Sequence, residues 1–145
     1  TEEKKPEPKY ITVADTTYKK EPVTLHKEKF YAIRESESTE KNAQLSRIAN
    51  FLNTYKDATI TVVGYADKGT GTSALNKKYA QKRADSFKKE LVEKYNIDAN
   101  RIATDSKGDS VQPFAENDKN RCVIVDGKAE KTVMVTKSRQ VEVKE

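Results

Sequence analysis

Residues 64–86 read GYADKGTGTSALNKKYAQKRADS and set a carboxylate in a glycine-rich loop, Asp67, ahead of an arginine in a helical stretch, Arg83. Lys77, Lys78, Lys82, Lys88 and Lys89 surround that arginine, in a chain of 22 lysines and only six arginines. A guanidinium is a planar fork that meets a carboxylate with two hydrogen bonds, which an ammonium cannot do. Asp67 supplies the complementary acceptor for an amine. Each helical residue turns about 100°, so Asn76 and Arg83, seven apart, point the same way. Ala80 and Phe87 lie close to that direction. Arg83 is therefore expected on the flank of the apolar stripe, its guanidinium reaching round the helix edge to a polar rim. The strand end, the loop, the helix start with its free N–H groups and Arg83 can converge on one cleft. An amine and a carboxylate on one carbon would fit such a cleft. An internal Asp67–Arg83 bridge tying loop to helix would use the same two residues.

The elements that must position this pair follow from periodicity. ATITVVGYA (58–66) reads as a buried strand covered on both faces. Residues 74–95 read as a helix whose stripe is Ala80, Ala84, Phe87, Leu91 and Tyr95. Residues 38–57 read as a second amphipathic helix with Leu45, Ile48, Ala49, Leu52 and Tyr55 on one face. Ser38 or Thr39 would cap it, with Glu40 in its first turn. YITVADTTY (10–18) and VTLHKEKFYAI (23–33) read as separate strands. RIATDS leads a short strand, residues 107–120 a loop, and RCVIVDG (121–127) a final core strand. The expected fold is an α/β sandwich of order β/α/β/α/β/β, its helices on one face of a mixed sheet. The tail 128–145 alternates apolar and charged residues. It is expected to add edge strands or a hairpin, or to pair with residues 10–18.

Composition narrows the function. Of 145 residues, 34% are hydrophobic and 35% charged, which allows one modest core. No apolar run reaches the roughly 18 residues of a membrane-spanning helix. TEEKKPEPK (1–9) has no apolar residue and is expected to be a disordered or extended linker. The chain begins at Thr1, and we expect a mature or excised segment of a longer protein. The net charge of +5 is spread among alternating Lys and Glu, which argues against a nucleic-acid patch. Cys122 stands alone in CVIV and is expected to be a small core residue. His26 receives no role, and no metal or cofactor site is expected. No nucleophile has a base beside it, so catalysis is not expected. GTG is too short a signal for a phosphate loop.

The stretch ITVVGYADKGTGTSALNKKYAQKRADS resembles the OmpA-like C-terminal domain, with its T-D-x-x-G loop and N-x-x-L-S-x-x-R-A helix. NIDANRIATDSKGDSVQPFAENDKNRCVIV is similar to that family's second half: a G-I-x-x-x-R-I segment, a G-E-x-x-P loop and an N-R-R-V-E-I strand. The resemblance runs from about residue 28 to 126, in the style of Bacteroidetes forms. It implies a non-enzymatic domain that binds peptidoglycan in the periplasm and fastens the outer membrane to the wall. The implied ligand is the diaminopimelate of the stem peptide, with Asp67, Arg83 and Asn76 as binding residues and Arg121 in support. The loop and strand-end residues Gly71, Thr72 and Tyr65 join the expected ligand-binding set, and Tyr79 the supporting one. Either Arg83→Ala or Asp67→Ala should then abolish wall binding and leave the fold intact.

The sequence also departs from the pattern. The loop is one residue longer between Asp67 and Gly71, Ala66 replaces Thr, and Tyr65 replaces His. Tyr79-Ala80 replaces Leu-Ser, and Arg121-Cys122 replaces paired arginines. The F-D-F-D type of first strand is not evident in KFYAIRES. Residues 10–127 are expected to form the domain and residues 128–145, outside the common motif, a β extension; the resemblance further implies an N-terminal β-barrel as the upstream partner. Some relatives pair, so a homodimer is among the expectations. A basic nucleic-acid-binding domain and a cell-wall enzyme are the alternative readings.

Overall fold

A computed structural model describes residues 7–36 and 43–144. Its elements are β1 (Tyr10–Phe30), α1 (Ala43–Thr54), β2 (Thr59–Tyr65), α2 (Ser73–Tyr95), β3 (Ile102–Gly108) and β4 (Cys122–Glu142). The strands form one sheet in the order β1-β4-β2-β3. The chain divides into two units: Pro22–Ala129, and a second that joins the segment ending at Glu21 to the segment starting at Glu130.

In Pro22–Ala129 the architecture is the expected mixed sheet with two helices. β2 runs parallel to β3 (Ile60 opposite Ile102, Val62 opposite Thr104) and antiparallel to β4 (Val62 opposite Val125). Ile60, Val62, Val123 and Val125 form the core with Ile48 and Leu52 of α1 and Ala84, Phe87 and Leu91 of α2. β2 is not covered on both faces, as its run of β-branched residues suggested, since Thr59 and Thr61 are exposed. Thr and Val suit the pleat whether or not they are buried, so composition overstated the covering. Cys122 is fully buried, and burial pushes its thiol up to about 12.

Helix ends are secured locally. Thr72 caps α2, its hydroxyl accepting from Leu75 N at 3.2 Å. Asn96 closes the other end in the left-handed region (φ 57°), and Ile97 N donates to Leu91 O. Beyond α1, Arg101 Nη2 donates to Leu52 O and Tyr55 O at 2.8 Å each, and Nε to Ala58 O at 3.0 Å. One guanidinium thus satisfies carbonyls that the helix leaves unpaired. The expected caps Ser38 and Thr39, and Glu40, lie outside the described residues. Tyr55 falls just past the helix, and Phe51 joins its buried face.

Two expected strand breaks are absent. Residues 10–18 and 23–30 belong to one strand, β1, that runs through Pro22, and residues 31–33 of the expected second strand lie beyond its end. β1 is an edge strand, where a missing N–H need cost no ladder bond. Residues 122–127 and the tail as far as Glu142 are likewise one strand, β4, so the tail adds no separate strand among the described residues. In the second unit β1 and β4 pair antiparallel: Val143 N donates to Lys9 O at 2.8 Å, and Gln140 Nε2 to Thr12 Oγ1 at 3.1 Å. Arg139 pairs with Asp15, and Lys20 with Glu130 at 3.8 Å.

A Cβ on Gly64 would stand 1.9 Å from the Ala80 carbonyl oxygen of α2, so only glycine permits this approach of strand and helix. Gly64→Ala should lower the unfolding free energy by about 3 kcal/mol or more in urea titrations, as overpacking against backbone does. An unchanged midpoint would show that α2 does not sit this close. On the sheet surface, His26 Nδ1 meets Asp126 Oδ1 at 2.6 Å and its Nε2 meets Glu28 Oε1 at 3.0 Å. The bond to Asp126, then that to Glu28, raises the histidine pKa above the ordinary 6.5. The stabilisation is therefore full below 6.5 and fades as pH rises through the folded-state value. The exposed site limits this to roughly a few tenths of a kcal/mol. The stability gap between the parent and His26→Gln should close from pH 5.5 to pH 8.5, and a gap that widens would contradict the pairing.

Candidate functional site

The site begins where β2 ends. Its pairing with β3 slips between Gly64 and Tyr65, and Ala66 N then donates to Gly108 O at 2.8 Å. This irregularity releases the chain into the loop that carries Asp67. Gly71 turns the loop into α2 with φ 75°, a conformation suited to glycine. Asn76, on the first turns of α2, donates through Nδ2 to Asp67 O at 3.3 Å and to Asp109 Oδ2 at 3.1 Å. Gln112 clasps the loop from the other side, donating to Ala66 O at 2.9 Å and accepting from Lys68 N at 3.3 Å.

Asp67 is 3% exposed, and its contacts all fall on one oxygen. Thr70 Oγ1 donates to Oδ2 at 2.6 Å, Asn117 Nδ2 at 3.4 Å, and Arg121 Nη1 lies 3.5 Å away. Among the described residues Oδ1 has no partner. No ion pair joins Asp67 to Arg83, so the internal bridge between them is not what the fold builds. The counter-charge is Arg121, which also donates through Nε to Tyr31 O at 3.0 Å.

Arg83 does not reach a rim; it is 2% exposed. Nε donates to Glu35 O at 2.8 Å, Nη1 to Tyr65 O at 3.0 Å and Nη2 to Ala32 O at 3.5 Å. Its Cζ lies 5.5 Å from the centre of the Tyr31 ring. Desolvation lowers its pKa and Arg121 pushes the same way, against Tyr31 and Asp67. A guanidinium stays charged even so. Three of its five N–H groups are committed among the described residues, which leaves one on each terminal nitrogen.

Asp67 and Arg83 nevertheless line one cavity, with Gly71, Asn76, Tyr79 and Arg121. Its volume is about 30 Å³, room for one or two water-sized groups. Two of the expected binding residues stand elsewhere. Thr72 spends its hydroxyl on the helix cap, and Tyr65 contributes its carbonyl to Arg83. Thr70, Asn117, Gln112 and Asp109 were not anticipated; they come from polar loops in which no periodicity marks a functional position.

The OmpA family model matches residues 33–124. The chain belongs to the OmpA family. Outer membrane protein 40 of Porphyromonas gingivalis, a member of the Bacteroidetes, is 46% identical over 69 residues, 48% of this chain and 18% of that protein. The chain spans about a fifth of the curated relatives it matches, 17% to 20% for the first three. The OmpA-like domain of FopA1 from Francisella tularensis aligns with a TM-score of 0.66 at 21% identity, over 92% of this chain and 84% of that one. The peptidoglycan-associated lipoprotein of Burkholderia pseudomallei aligns with a TM-score of 0.59 at 19% identity, over 72% of this chain and 89% of that one. These two likenesses show that the OmpA-family domain has the fold of its solved relatives.

The carbonyl contacts of Arg83 give it a structural part beside its place in the cavity lining, so its replacement is expected to perturb the fold. Arg83→Met should lower stability by about 2–4 kcal/mol in urea unfolding, because buried carbonyls lose a charged donor. Arg83→Lys should recover less than half of that, since a single ammonium cannot span three carbonyls. Parental stability in both variants would mean that the guanidinium does not hold the 32–35 turn.

Proposed function

We propose that this domain binds peptidoglycan non-covalently and anchors the outer membrane to the cell wall from the periplasmic side. The observation that carries the reading is Asp67: a nearly buried carboxylate on a cavity wall, with Oδ2 held by two hydrogen-bond donors and an ion pair and Oδ1 left without a partner among the described residues. An ammonium offered to Oδ1 meets a fixed, largely desolvated acceptor, where a charge-assisted hydrogen bond is strongest. The two uncommitted N–H groups of Arg83 form an anion contact on the same wall. The ligand end this combination suits carries an amine and a carboxylate on one carbon, and the free end of diaminopimelate in the stem peptide has that form. The printed name of the Burkholderia pseudomallei relative, a peptidoglycan-associated lipoprotein, supports the same reading.

The contacts suit holding a ligand: Oδ2 of Asp67 is oriented by Thr70, Asn117 and Arg121, and three N–H groups of Arg83 are tied to carbonyls. Residues 1–9, rich in Pro, Glu and Lys, are read as a linker to an N-terminal β-barrel. The name of the Porphyromonas gingivalis relative, an outer membrane protein of which the matched stretch is 18%, supports that arrangement.

Co-sedimentation with purified wall, with folding checked by circular dichroism, tests the proposal. Asp67→Asn keeps the shape and removes the charge, and it should weaken sedimentation at least about tenfold, a cost of roughly 1.4 kcal/mol or more. A folded Asp67→Asn variant that sediments like the parent would move the site elsewhere. A parent protein that does not sediment would remove the function.

A further inference from the structure

We propose that Arg34 determines specificity: it takes a second carboxylate at the cavity mouth, so that the preferred ligand is an acidic peptide rather than an isolated zwitterion. The inference rests on the reading of the site given above and adds a residue to it.

Arg34 lines the cavity together with Asp67 and Arg83. Unlike Arg83 and Arg121, it is exposed. Among the described residues it makes no hydrogen bond or ion pair, and neither Asp67 nor its neighbour Glu35 binds it. It also occupies the left-handed region, with φ 61°, a conformation uncommon in a non-glycine residue. The turn that holds it there is fastened from below, since the carbonyls of Ala32 and Glu35 on either side accept from Arg83.

Volume and charge indicate what Arg34 meets. A cavity of about 30 Å³ admits the tip of a side chain and leaves the rest of the ligand over the mouth. There it encounters Ile33 and Leu75, 55% and 38% accessible, and exposed Arg34. Among the described residues the lining holds three arginines, Arg34, Arg83 and Arg121, against one acidic residue, Asp67. Asp109 stands behind Asn76, bonded to it and to Ser73. Asp67 is matched by Arg121 and Arg83 by carbonyl dipoles, so Arg34 is the lining cation without a counterpart among the described residues. A zwitterion brings no net charge and leaves it so. A neighbouring carboxylate on the same peptide would be met by a fork whose geometry suits it.

The probes are free diaminopimelate and its γ-glutamyl dipeptide with the glutamyl α-carboxylate either free or amidated, measured by calorimetry on the whole chain. The parent should bind the free-acid dipeptide about two- to fivefold more tightly than the amide, the range of a solvent-exposed charge pair. Added salt should shrink that ratio. Arg34→Asn tolerates the left-handed backbone and should bring the ratio to about one, and Arg34→Lys should keep part of it. A ratio of one in the parent, or a parental ratio in Arg34→Asn, would overturn the role of Arg34. A parent that binds none of the three probes would overturn the reading of the site beneath it. Thermal melts of both variants establish that any lost ratio comes from a folded protein.

Discussion

A charged guanidinium buried among backbone carbonyls is the constraint on which this domain depends. Arg83 leaves α2, meets the carbonyl of Tyr65 at the end of β2, and fastens the turn through Ala32 and Glu35. Burying a permanent charge is costly unless it is hydrogen-bonded throughout, so the segments that supply its acceptors are held to one arrangement. That arrangement sets Arg83 in the cavity wall, holds the turn after β1 beside it and leaves two N–H groups uncommitted among the described residues. The same residue therefore serves the fold and the site, and its removal cannot be read as a purely functional change. Arg101 repeats the device at the end of α1 with three carbonyls.

The second organising fact is division of labour between the two oxygens of Asp67. Thr70, Asn117 and Arg121 orient the carboxylate through Oδ2, and among the described residues Oδ1 has no partner. Arg121 comes from the residue preceding β4, Asn117 from the loop before it, and Thr70 from the loop after β2. The site is thus assembled from three stretches that no local sequence pattern joins. The close approach of Gly64 to Ala80 makes the assembly possible by letting α2 lie against β2.

Much of this was legible in the residues. The spacing of Asn76 and Arg83 placed both on one side of α2, and both are buried beside Asp67. The stripe Ala80, Ala84, Phe87 and Leu91 was plain because small and large apolar residues recur at helical spacing. Three things were not legible. The commitment of Arg83 to carbonyls depends on a turn distant in sequence, so an exposed fork was inferred where a buried one exists. β1 read as two strands because Lys19-Lys20-Glu21-Pro22 is polar and holds a proline, features that an edge strand tolerates. Arg34 was hidden in KFYAIRES, which reads as the tail of a strand, and only the backbone φ and the cavity single it out.

The unpartnered oxygen of Asp67, on this account, receives the amine of a zwitterionic side-chain end while Arg83 faces its carboxylate. A crystal structure of the domain soaked with diaminopimelate tests this most directly. The ligand ammonium should lie within hydrogen-bond distance of Asp67 Oδ1 and a ligand carboxylate oxygen on the terminal nitrogens of Arg83, with the carbonyl bonds of Arg83 intact. Ligand bound at another surface, or seated with its carboxylate toward Asp67, would contradict it.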